Sequence, residues 1–223
     1  LPLSLRRQRQ MCIRDRRHDL VVKATHKHSF LQTFIFTPTD WHLLRKCPCP
    51  VLLVKEGHWQ RGGNLIAAIN CSSDDKEQKV LNERITREGI AIAELLGASL
   101  YLVNTYPGTP VNVAIELPEF DPNAYNDAIR KHHEDLLREH ADQFGINHMW
   151  TKVAEGLPEE VLPDMADDLN ATLMIMGCVG RTGLSAALLG NTAEHVVDRL
   201  NCDILILKPD DYSSPVDDRR HPA

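Results

Sequence analysis

The stretch Ala171-Thr-Leu-Met-Ile-Met-Gly177-Cys-Val-Gly180-Arg-Thr-Gly183-Leu-Ser-Ala-Ala-Leu-Leu-Gly190-Asn191-Thr192-Ala-Glu-His-Val-Val-Asp-Arg-Leu200 decides the fold. Its opening run, Ala171 to Met176, is short and mostly apolar, the pattern of a strand buried in a parallel sheet. Its closing run places Val196, Val197 and Leu200 at helical spacing. Between them stand Gly177, Gly180 and Gly183, then a second cluster of Gly190, Asn191 and Thr192. A glycine-rich turn from strand to helix lets a ligand approach the backbone. It also aims free N–H groups, and the positive end of the helix, at an anion. The chemistry suggested is phosphate binding, with Arg181 able to add a charge-assisted contact.

The same alternation runs outward from this stretch. Leu65–Ile69 reads as a strand, Asn70–Asp75 as a polar loop at its end, and Lys79–Leu96 as an amphipathic helix stopped at Gly97. Ser99–Val103 is a further strand, followed by a loop with Pro107, Pro110, Pro118 and Pro122, then a helix near residues 123–144. Residues 148–154 are expected as a strand, 158–169 as a helix and 203–207 as the closing strand. Five strands alternating with helices predict an open, mostly parallel sheet, whose ligands sit beyond the carboxyl ends of the strands.

A partial copy precedes this unit. Leu20–Ala24, a helix around 39–46 and Val51–Val54 repeat the strand–loop–helix–strand order of residues 172–207. The copy's loop, residues 24–39, contains no glycine, so no nucleotide is expected there. Residues 55–63 read as a polar linker. The expected organisation is a foreign or disordered tail at 1–17, a remnant of a first unit at 18–56, a complete unit at 64–209 and a disordered tail at 210–223. Residues 1–17 have no secondary-structure period and no initiating Met. The reading therefore expects a chain truncated at its N-terminus.

Composition narrows the function classes. The net charge is −6, yet residues 1–60 carry 11 Lys/Arg against 4 Asp/Glu. The remaining body is thus strongly acidic, which argues against a broad nucleic-acid surface. No apolar run has the length of a membrane span. Six cysteines show no disulfide-framework density, which suits a reducing cytoplasm. Cys47-Pro-Cys49 lacks zinc or redox spacing, and His132 and His133 diverge on a helix, so no metal site is expected. No Walker A sequence and no nucleophile elbow is present, so no catalytic residue is assigned.

The glycine spacing Gly177-x-x-Gly180-(nine residues)-Gly190, with Asn191-Thr192-Ala-Glu194 and the terminal Lys208-Pro209, resembles the universal stress protein family. Within it, the repeat resembles the tandem-domain E type. That resemblance implies a Rossmann-like sheet of order 3-2-1-4-5 and a back-to-back pairing of two units through their last strands. It implies ATP or a related adenine nucleotide on the glycine loop. Carried over, Gly177, Gly180 and Gly190 match phosphate-loop glycines, with Val179, Arg181 and Thr192 beside them. Asn191 stands where a small hydroxyl residue is usual. Asn70, followed by Cys71, stands where nucleotide binders often have Asp, and Val103 matches a position that packs on adenine. An amide cannot hold a metal as a carboxylate would, so Mg²⁺ is expected only with the nucleotide.

The expected function is a cytoplasmic, nucleotide-responsive stress module without strong catalysis, a pseudo-dimer of tandem units with room for homo-oligomers. Two alternatives stand beside it. One is a weak ATPase using the same loop. The other is an interaction scaffold with an empty or different-ligand pocket, its glycines serving only tight turns and close helix packing.

Overall fold

The computed structural model describes residues 18–27, 34–35, 43–44, 47–55, 61–108, 121–178 and 191–209. Apolar, β-branched-rich runs form strands β1 (Val21–Ala24), β4 (Val51–Val54), β5 (Asn64–Ala68), β6 (Ser99–Tyr106), β7 (Thr151–Glu155), β8 (Ala171–Gly177) and β9 (Asp203–Leu207). A two-stranded ribbon, β2 (His26–Lys27) with β3 (Phe34–Ile35), lies in the stretch expected to be loop.

Four helices carry clear local signals. Helix α1 (Lys76–Leu96) starts at Asp75, whose side chain accepts from Glu77 N–H at 3.0 Å. It stops at Gly97, which takes φ 62, a left-handed conformation glycine adopts without strain. Helix α2 (Pro122–Gln143) has Asp121 as its cap and proline in its first turn, where no N–H is needed. Helices α3 (Pro158–Asp168) and α4 (Asn191–Arg199) complete the set.

One sheet holds all seven longer strands in the order β1-β4-β9-β8-β5-β6-β7. Within the second unit this is the expected 3-2-1-4-5 order, all parallel. The partial copy joins the same sheet because β4 pairs antiparallel with β9, matching Val51 to Ile206 and Leu53 to Ile204, the pairing through last strands that the resemblance implies. Alternate strand residues then face opposite layers. Leu65, Ala67, Leu102, Leu173 and Ile175 meet Leu81, Ile85 and Leu137 of α1 and α2. Ile66, Val103, Met174 and Met176 meet Leu162, Ala166, Val196 and Val197 of α3 and α4. Val51 and Leu53 of the partial copy join this second layer.

Further expectations change. Residues 148–150 form a 3₁₀ turn, not strand, because the Asn147 side chain accepts from Met149 N–H at 2.9 Å and closes the backbone locally. Strand β6 continues past Val103 to Tyr106, because Asn104, Thr105 and Tyr106 still pair with β7. Lys55, expected in a linker, is buried at 3% exposure, held across the sheet seam. No helix among the described residues is long and apolar enough to cross a membrane.

Candidate functional site

The carboxyl ends of β5, β6, β8 and β9 share one edge of the sheet, where parallel α/β sheets place their ligands. After Ala68 the chain leaves β5 under tight control. Ile69 N–H still donates to Val103 O at 2.9 Å. The next two residues are held by side chains. Asn82 of α1 accepts Asn70 N–H at 3.1 Å and donates from Nδ2 to Asn70 O at 2.8 Å, gripping both peptide groups of one residue. Gln78 Nε2 donates to the same Asn82 Oδ1 at 2.8 Å. Asn104, at the end region of β6, accepts Cys71 N–H at 3.3 Å. Its Nδ2 meets His133 Nδ1 of α2 at 2.9 Å. His133 in turn stacks on Tyr106, with ring centroids 5.1 Å apart.

Both asparagines are nearly inaccessible, Asn82 at 3% and Asn104 at 1% exposure. A buried amide without partners would cost about 1–3 kcal/mol, so their full engagement explains their place in an apolar interior. They were missed in the sequence, although a signal existed: each interrupts an apolar pattern. Asn82 sits in the buried stripe Leu81–Ile85–Gly89–Ala93, and Asn104 follows the apolar run Leu100–Val103.

Asn70 is exposed, with Oδ1 accepting from the Ser72 hydroxyl at 3.0 Å. Among the described residues its Nδ2 has no partner, which leaves a donor at the strand end. Cys71 is half-buried and burial pushes its thiol up to about 12. At neutral pH it is therefore a thiol, not a nucleophilic thiolate. Burial, and then His132 alongside, holds His133 below the ordinary histidine value. Tyr106 is pushed up by burial and by Glu155.

The remaining expected site residues divide three ways. Val103 is fully buried among Ile66, Met174 and Leu162, beneath the surface of the edge. Gly177 ends β8 against α1, and a Cβ there would run into the Leu81 side chain, with Ile85 Cδ1 at 3.2 Å. The packing of α1 alone therefore accounts for that glycine. Val179, Gly180, Arg181 and Gly190 lie outside the described residues. Asn191 and Thr192 open α4, with side chains outside the described set. Cys178 is buried and donates its N–H to Leu207 O at 2.8 Å, continuing the β8–β9 ladder to the edge.

Two recesses flank the sheet. One of about 260 Å³ lies at the same edge, lined by Arg84, Lys208, Cys49, His18 and Asp19. A larger one of about 520 Å³ lies at the opposite edge, between Ala93, Leu100, Ile146 and Trp150. The opposite edge is not where parallel strands present ligands, so the larger volume does not mark the site. Among the described residues no three His, Cys, Asp or Glu side chains converge to hold a metal ion.

Comparison with known proteins agrees with this architecture. The profile of the universal stress protein family matches residues 12–55 and 78–208. Universal stress protein E of Escherichia coli K12 is 53% identical over 201 residues, covering 90% of this chain and 64% of that protein. The Haemophilus influenzae homologue is 46% identical over 198 residues, covering 88% and 64%. This chain thus spans just under two thirds of the curated relatives it matches. A crystal structure of a Pseudomonas aeruginosa PAO1 protein of unknown function superposes with TM-score 0.77 at 31% identity, covering 93% of this chain and 69% of that one. An Archaeoglobus fulgidus universal stress protein shares the fold, with TM-score 0.60 at 15% identity over 90% and 65%. With a profile matched on both sides of the β4–β9 seam and half the residues shared with full-length relatives, the chain belongs to the universal stress protein family.

Proposed function

We propose that this chain is an adenine-nucleotide-responsive module of a stress-response protein, acting in the cytoplasm and binding ATP without strong catalysis. The observation that carries the reading is the grip of Asn82 on Asn70, at the edge where β8 runs into the glycine-rich segment. An ordered strand end with an exposed amide donor suits a nucleoside, because Nδ2 of Asn70 can serve a ring nitrogen or a ribose oxygen. The main-chain amides of 177–192 are the candidate phosphate cradle.

The residues fit a nucleotide better than a resident metal. Position 70 offers an amide where a carboxylate would be needed, so Mg²⁺ would arrive on the phosphates. Bound ATP would supply the charge that responds to the protein; the chain's own part is to bind and orient. The Cys71 thiol is protonated and offers no nucleophile of its own.

A second reading, an interaction scaffold without nucleotide, gains support from Val103 and Gly177, both accounted for by packing. Equilibrium titration with ATP, with and without Mg²⁺, separates the two. We expect binding by the native chain, loss of it in Gly180→Val, and about three- to tenfold weakening in Asn70→Ala, the worth of one hydrogen bond. No binding by the native chain would select the scaffold. Phosphate release that follows the same Gly180→Val loss would select a weak ATPase.

A further inference from the structure

Building on the reading of residues 70–71 as the nucleoside edge, we infer that Asn104 is a positioning residue coupling His133 to Cys71, so that acid frees one residue of that edge.

The proton positions follow from the partners. Cys71 N–H can only donate, so the Asn104 atom facing it is the oxygen. The other arm of the amide is then NH₂ and must donate to His133 Nδ1. His133 Nδ1 is therefore bare, and the neutral ring carries its proton on Nε2. A proton added to Nδ1 sets two donors against each other. If the amide flips to accept from the imidazolium, its NH₂ faces Cys71 N–H and the clash moves one step along. The flip keeps a hydrogen bond to the charged ring, the stronger of the two contacts, so the loss falls on Cys71 N–H at the strand end.

The companion grip does not share this weakness. Asn82 meets Asn70 and Gln78 only through amides. Behind it, the Thr86 hydroxyl donates to Asn82 O at 2.9 Å, so His140 Nε2 must donate to Thr86 Oγ1. Protonating His140 leaves that bond intact. The two histidines are both held low by burial, but only one sits with an accepting nitrogen in the chain of contacts.

The charged and titratable surroundings of His133 come from three elements. His132 on α2 opposes its protonation. Asp127, Arg130 and Glu134 of α2 and Glu155 of β7 act on Tyr106, the β6 ring stacked against it. Protonation therefore falls on the acid side of the ordinary histidine value of 6.5.

Amide hydrogen exchange on the ¹⁵N-labelled chain tests this, with His133 titration followed in the same samples. Between about pH 7.5 and pH 5, protection of Cys71 N–H should fall about tenfold relative to intrinsic exchange, while Asn70 N–H holds. His133→Gln keeps an accepting carbonyl for Asn104 Nδ2 but cannot gain a proton, and should hold Cys71 protected at both values. Asn104→Asp should reverse the response, because a carboxylate accepts from both Cys71 N–H and the imidazolium. Flat Cys71 protection while His133 titrates would overturn the proposal. So would an acid response surviving in His133→Gln. ATP titration of the same samples keeps the two readings apart. Absence of ATP binding at either pH would remove the nucleotide assignment and leave the exchange result to decide the coupling.

Discussion

Lys55 and Lys208 occupy equivalent places on either side of the β4–β9 seam. The register pairs Val51 with Ile206 and Leu53 with Ile204, so β4 matches β9 and the residue after each strand is a lysine. Lys55 Nζ donates to Leu200 O, and Lys208 Nζ donates to Cys47 O at 2.7 Å. Leu200 and Cys47 are themselves equivalent, each lying eight residues before the lysine that follows its strand. Each unit thus reaches across to the backbone that leads into the other's last strand. Their surroundings differ in part: Cys202 and then Asp203, Asp198 and Asp167 act on Lys55, whereas the neighbours acting on Lys208 are Cys178, Cys47 and Cys49.

Burial lowers both lysines from 10.5 to about 8. Between pH 8 and 10.5 the unfolded chain then holds more protons than the folded one, so stability rises with pH across that window. Burial also pushes Cys49 and Cys71 up to about 12 and Cys202 to about 11. Above the ordinary thiol value of 9.0 the unfolded chain loses protons first, and stability falls. Urea unfolding should therefore show a gain of about 1–2 kcal/mol from pH 7 to pH 9, then a plateau or decline. A steady fall from pH 7 upward would show that neither lysine is desolvated as described.

The asymmetry of the pair gives a mutational prediction. Lys208→Met removes the donor to Cys47 O, and that loss is offset by relief of the lysine's desolvation. Lys55→Met strips the positive charge from beside buried Asp203, whose Oδ1 accepts the backbone N–H of residue 55 at 2.7 Å. We expect a cost of about 1 kcal/mol or less for the first and about 2–3 kcal/mol for the second. The two should add, because they stand at opposite ends of the seam. Denaturant midpoints of the two single variants and the double variant measure this directly.

Gly177 offers a test of packing against ligand binding. Its missing side chain makes room for Leu81 and Ile85 of α1. Gly177→Ala should destabilise the fold by about 1–3 kcal/mol, the cost of overpacking a filled core. Leu81→Ala alone should cost about 2–4 kcal/mol by leaving a cavity. Combined, the two should be less than additive, since each removes the other's strain. Full additivity in thermal or urea unfolding would mean that the glycine is required for something other than the approach of α1.

Local signals in this chain were legible and distant ones were not. The strand opening at Ala171 and the Gly97 stop follow from periodicity and capping chemistry, which act within a few residues, whereas the Asp75 cap starts α1 three residues before the expected Lys79. The order 3-2-1-4-5 came from the family resemblance, and the sheet carries it. The Asn82, Asn104 and His133 network was not read, because its links join residues 12, 33 and 29 positions apart. Lys55 looked like linker because its burial depends on Asp203, 148 residues away. The glycines 180 to 190, the strongest functional signal in the sequence, lie outside the described residues. The proposed phosphate cradle therefore rests on sequence, while the proposed nucleoside contact draws on the way residues 70 and 71 are held.

The outer edge of the sheet carries the last prediction. Among the described residues β1 stands at the end of the sheet and pairs with β4 alone. Val22 on this strand is 59% exposed, with Leu20 just before it also exposed. An exposed apolar edge strand is a template for pairing with another chain. Val22→Lys should place a charge on that edge, reducing self-association at micromolar concentration without loss of secondary structure. Because Val22 contributes little buried surface, stability should change by less than about 0.5 kcal/mol. Sedimentation velocity of the native and Val22→Lys chains gives the answer. An unchanged distribution of species would assign any oligomer to another surface.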